Sequence, residues 1–151
     1  MKEEQLFEQM KLWRTWTVEY LQTISEELVD QIPQGHNNNI SWNSGHILVG
    51  WDNAIFPAEE RQVPHNYHVL FPDGSRPEEW SQELPSMADI IKQLEEQPIL
   101  IEHACKGHLN KSLNESFLGM KTLGGMFVFH MNHENLHMGI IKSMKQMLMS
   151  K

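Results

Sequence analysis

Residues 126–141 read Met-Phe-Val-Phe-His-Met-Asn-His-Glu-Asn-Leu-His-Met-Gly-Ile-Ile, with histidine at 130, 133 and 137. On an α-helix turning 100° per residue these three side chains fall within about 60° of one another. Met126, Ile141, Met144 and Leu148 share that sector, so the imidazoles stand in a stripe otherwise suited to a core. Burying each ring without a partner costs roughly 1–3 kcal/mol. A divalent cation satisfies several neutral imidazoles together, whereas water, backbone or carboxylates would have to satisfy them one by one. His133 and His137, one turn apart, favour the cation. Such a helix needs neighbours to bury its stripe.

The rest of the chain supplies them. From Glu4 to about Gln31, Leu6, Met10, Trp13, Thr17, Leu21, Ile24 and Leu28 recur at helical spacing. Pro33 and Gly35 end that segment, and Asn39 or Ser41 can cap a second helix running to Phe56, before Pro57. Pro57, Pro64, Pro72, Pro77 and Pro85, with a Pro-Asp-Gly turn at 72–74, mark residues 57–85 as a long irregular crossover. A connection of that length is uncommon unless it frames a site. Ser86, with Asp89 three residues on, caps a third helix, which Pro98 should bend before it resumes from Ile99 to His108. A polar loop then leads to the last helix, Thr122 to Met149. No segment alternates convincingly with period two. The expected fold is therefore all-α: one domain over residues 1–151, a four-helix bundle with its long crossover between helices two and three.

Composition excludes several classes. Twelve basic residues against twenty acidic ones give a net charge of −8, which disfavours nucleic acid and anionic lipid as partners. No apolar run approaches the roughly 20 residues of a membrane helix. The start, Met1-Lys2-Glu3-Glu4-Gln5, is polar where a signal peptide is apolar, and Cys105 is the one cysteine. The expected location is the cytoplasm. Nine histidines, five tryptophans and ten methionines are the unusual content.

Two ligands on one helix are seldom sufficient. His46, on the second helix in Ser41-Trp42-Asn43-Ser44-Gly45-His46-Ile47, is the candidate third, with Gly45 permitting close approach beside it. His36, His65, His68, His103 and His108 lie in loops or near segment ends and read as solvated. His133-Glu134-Asn135-Leu136-His137 also matches H-E-x-x-H, but no His, Asp or Glu follows His137 to complete a protease centre. Glu134 is expected beside the ligands or at the rim as a base, and His130 as a support or proton carrier.

Three stretches carry a family resemblance: residues 41–47, the Leu-Phe-Pro-Asp-Gly-Ser-Arg-Pro-Glu-Glu-Trp crossover at 70–80, and Asn-His-Glu-Asn-Leu-His-Met-Gly-Ile at 132–140. Together they resemble the DinB-like (DinB/YfiT-like) metalloenzymes over nearly the whole chain. The resemblance implies a metal held by His46, His133 and His137. Where that family often continues Arg-Gly-Gln after its last histidine, this chain has Met138-Gly139-Ile140. Several relatives are thiol S-transferases, which implies a low-molecular-weight thiol as cosubstrate, a small electrophile and a homodimer. Metal-dependent hydrolysis and a non-catalytic, metal-stabilised binding or stress module are the alternatives. Zinc, nickel, iron and manganese all suit three imidazoles.

Overall fold

The computed structural model describes residues 1–150. Six α-helices and one small hairpin follow in the order α1 (Glu3–Gln22), α2 (Glu26–Val29), α3 (Ile40–Ile55), α4 (His65–Leu70), α5 (Met87–Cys105), β1 (Ser112–Phe117), β2 (Met120–Thr122) and α6 (Leu123–Met149). The four long helices α1, α3, α5 and α6 form the bundle. Within it α3 packs chiefly on α6 and α5, and α1 on α5. The all-α reading holds, with the hairpin as a small addition.

The caps explain where the helices begin. Asn39 accepts from the Trp42 N–H, Ser86 from Asp89 and Thr122 from Gly125, each satisfying a donor left open in a first turn. Almost every residue of α3 is buried, including the run from Ile40 to Val49 with its polar Asn43, Ser44 and His46, as expected of a helix enclosed by its neighbours. The core joins Met10 and Leu21 of α1, Ile47 and Trp51 of α3, Ile90 and Leu94 of α5, and Phe127 and Ile141 of α6. No helix among the described residues is long and apolar enough to cross a membrane.

Five local features differ from the sequence expectation. The first helix stops at Gln22, where Thr23 turns its hydroxyl onto the Tyr20 carbonyl, and α2 restarts after Ser25. Its buried face runs through Phe7, Met10, Arg14, Thr17, Val18 and Leu21, about half a residue's rotation from the expected stripe, which had Leu6 and Trp13 in place of Phe7, Arg14 and Val18. The crossover contains α4 and two short 3₁₀ turns, Ala58–Glu60 and Pro77–Glu79. Residues 112–121, expected as a loop, form the hairpin with Thr122; β1 is almost wholly exposed, and neither strand holds a buried residue.

Pro98 interrupts nothing, because α5 runs continuously through it. A proline at 98 has no N–H to give the Leu94 carbonyl one turn earlier. Arg14 supplies the missing donor, its Nη1 standing 2.9 Å from that oxygen. Arg14 is itself buried, and this bond begins a polar network through the bundle's centre.

Candidate metal centre

Helix α6 projects His133 and His137 toward α3, one turn apart, and α3 projects His46 back at them. One ring nitrogen from each lies within 4.8 Å of the other two. His46 and His137 are buried and His133 is partly so. The three residues singled out as candidate ligands are therefore brought together, and they could hold a metal ion.

Their surroundings orient the rings. The His46 Nδ1–H donates to the Phe71 carbonyl at 2.8 Å. The His137 Nδ1–H donates to Asn43 Oδ1 at 2.8 Å. Asn43 is held the right way round because its amide nitrogen donates to the Asn39 carbonyl and to Asn38 Oδ1. A carbonyl oxygen only accepts, so each imidazole carries its proton on Nδ1 and its lone pair on Nε2. This arrangement, with an outer acceptor on one ring nitrogen and the other left free, fixes metal-binding histidines in the tautomer that can ligate. Trp42 stacks on His46 at 4.5 Å between centroids, and its indole N–H donates to Ser75, so the crossover clamps that ring from two sides.

His133 completes the fit. Its Nε2 lies 3.1 Å from His137 Nε2, and the lone pair on His137 requires the proton between them to belong to His133. That leaves His133 Nδ1 buried with no hydrogen-bond partner among the described residues. Two ring nitrogens this close, with the His46 ring beside them, make a donor set that a shared cation would satisfy in place of that proton. Burial, then the neighbouring His46 and His130 rings, pushes His133 down to about 4. Burial, then His133 and His46, pushes His137 down to about 3, and burial lowers His46 as well. All three are neutral at pH 7, the form that binds metal.

Two glycines of α3 make this packing possible. A Cβ on Gly45 would stand 2.3 Å from the Phe71 ring, so the close approach allowed there belongs to the crossover residue whose carbonyl holds His46. A Cβ on Gly50 would lie 3.3 Å from His133 Cε1. The role of Gly50 was not anticipated, although two glycines inside one strongly apolar helix already ask for a packing reason.

The other candidates fall into different places. His130 is buried, three residues before His133, with its Nδ1–H donating to the Met126 carbonyl at 3.0 Å; burial lowers its pKa too. Glu134 is not at the rim. It is buried, and its two oxygens accept from Arg14 Nε at 3.1 and 3.2 Å, Arg14 Nη2 at 2.8 Å, Thr17 at 2.8 Å and Trp51 at 2.9 Å. Arg14 continues to Gln97 Oε1 at 3.0 Å, and Gln97 Nε2 to the Leu48 carbonyl at 2.9 Å. The network thus ties α1, α3, α5 and α6 together, and Glu134 serves as its anion. His68, expected in solvent, is partly buried and donates to the buried carboxylate of Asp52 at 2.7 Å. Asp52 also accepts from the Gln62 and Val63 backbone, which fastens the crossover to α3.

Four long helices around three convergent, tautomer-fixed imidazoles define a helical bundle with a histidine centre. The chain belongs to the DinB superfamily, whose family model matches residues 9–141. A solved structure described as the conserved protein of locus from Enterococcus faecalis has the same fold, with a TM-score of 0.73 at 15% identity, covering 100% of this chain and 99% of that one. No curated protein matches.

Proposed function

We propose that His46, His133 and His137 hold one divalent cation, zinc or nickel foremost, and that the protein is a metal-dependent thiol S-transferase. Its substrates would be a low-molecular-weight thiol and a small electrophile. The observation carrying this reading is the convergence of three neutral imidazoles within 4.8 Å, two of them held by outer carbonyl oxygens. Three nitrogen donors are the set that leaves a coordination position for a reactant. A cation bound there would supply the charge that ionises a thiol.

The chain's own residues supply the rest. Phe71 and Asn43 keep two rings aimed, and burial keeps all three uncharged. With its Nδ1–H on the Met126 carbonyl, His130 has Nε2 free to accept the thiol proton. The sulfur then forms a bond to the electrophilic carbon, and the leaving group departs with the electron pair of the bond it breaks. Hydrolysis is disfavoured by the place of Glu134, since the carboxylate expected to serve as base is already bound by Arg14, Thr17 and Trp51.

The test is thiol-dependent consumption of chlorodinitrobenzene by protein loaded with zinc or nickel, with His133→Ala as control. Turnover that needs both thiol and metal supports transfer. Ester cleavage without thiol would replace it with hydrolysis, and metal-dependent stabilisation with no turnover would make the protein a binding module.

A further inference from the structure

The hairpin between α5 and α6 ends in a feature that folding alone does not require. Its two-residue turn has positive φ at both positions, 49° at Leu118 and 83° at Gly119, as the right-handed twist of a tight hairpin demands. Glycine or asparagine takes that conformation readily, whereas leucine is strained in it. Leu118 is nevertheless there, 76% exposed, beside Phe117 at 45% exposed.

Phe117 leads from the turn to the histidine centre. Phe117 packs edge-to-face on Phe129 at 5.7 Å between centroids. Phe129 lies almost parallel to the His133 ring at 6.3 Å and edge-on to His130 at 5.1 Å. An apolar path therefore runs from the hairpin tip to a candidate ligand. A strained, solvent-facing leucine one residue along from that path is expected where a side chain meets a ligand. Two side chains cannot furnish the roughly 800 Å² per partner of a stable protein interface, but they match a small molecule.

We infer that Phe117, Leu118 and Phe129 form an apolar subsite beside the histidine centre, taking the aryl or alkyl portion of the small molecule that reacts there. The inference deepens the proposed function and rests on a ligand binding at His46, His133 and His137.

The test uses cobalt-loaded protein, whose visible spectrum reports a thiol at the metal, titrated with benzyl mercaptan and with 2-mercaptoethanol. Leu118→Asn and Phe117→Ser should weaken benzyl mercaptan by about fivefold or more while leaving 2-mercaptoethanol within roughly twofold. Leu118→Asn should also keep or raise the thermal midpoint, because asparagine accepts the positive φ; a purely structural leucine would give the opposite. Carbon-13 methyl NMR of Leu118 with benzyl alcohol, and with ethanol as control, reads the subsite with no thiol present. If neither thiol alters the cobalt spectrum but benzyl alcohol moves the Leu118 methyls, the transferase reading falls and the subsite stands. Unmoved methyls, or variants that bind both thiols like the wild type, overturn the subsite. Altered sedimentation of the variants with unaltered thiol binding also overturns it, assigning the tip to a second copy of the chain.

Discussion

At the scale of single residues, the centre depends as much on what holds the imidazoles as on the imidazoles themselves. Asn43 is fully buried, and its side chain ties His137 to the start of α3. Asn43→Ala should lower metal affinity about 10- to 100-fold, the usual effect of removing an outer partner, measured by competition with a chromogenic chelator. Affinity within roughly twofold of wild type would mean that the Nδ1 contact does not set the ring. His133 and His137 were legible because the four-residue spacing is itself a statement about one helix face. His46 was legible from Gly45 beside it and from the family resemblance. The role of Glu134 was not, because its partner Arg14 lies 120 residues away and a cation in an apolar stripe is visible only once the register of α1 is right. With the stripe drawn through Leu6 and Trp13, Arg14 fell off the buried face. Drawn instead through Phe7, Met10, Thr17, Val18 and Leu21, it falls on that face, and a buried arginine then asks for a carboxylate.

At the scale of elements, the arrangement turns on close approaches that one methyl group would spoil. Gly45→Ala gains helix propensity of up to about 1 kcal/mol. It also puts a Cβ 2.3 Å from the fully buried Phe71 ring. Overpacking of that kind costs about 1–3 kcal/mol, and the displaced crossover also withdraws the carbonyl from His46. The variant should lose both thermal stability and metal affinity; gaining stability while keeping affinity would show that the Phe71 contact is soft. The Arg14–Glu134 pair makes a second expectation. Arg14→Met should cost about 3–5 kcal/mol, because it strands a buried carboxylate and reopens the Leu94 carbonyl. The double variant Arg14→Met, Glu134→Gln should recover part of that loss in denaturant unfolding. No recovery would contradict a direct pairing. The helices themselves were largely readable from periodicity and caps. The hairpin was not, since β1 meets solvent on both faces and β2, three residues long, is too short for an alternation to be read.

At the scale of the molecule, clustering buried neutral histidines links folding to pH. His133 and His137 are held down to about 4 and about 3, while an unfolded chain protonates histidine near pH 6.5. Below pH 6.5 the unfolded state therefore binds more protons than the folded one, so stability falls as pH falls. For these two groups the loss runs from about pH 6.5 to about pH 3–4, and above pH 7 they add no slope. Metal-free protein should show a thermal midpoint that declines through that window; a midpoint that rises would contradict neutral, buried imidazoles. Metal binding, which competes with the same protons, should weaken over the same range. The central claim is that these three histidines form a metal centre, and the most direct measurement is the metal content of untagged protein by mass spectrometry, beside His133→Ala. The account predicts near-stoichiometric divalent metal in the wild type and its loss in the variant. Equal, trace metal in two folded proteins would contradict it and leave His46, His133 and His137 as polar groups of the core.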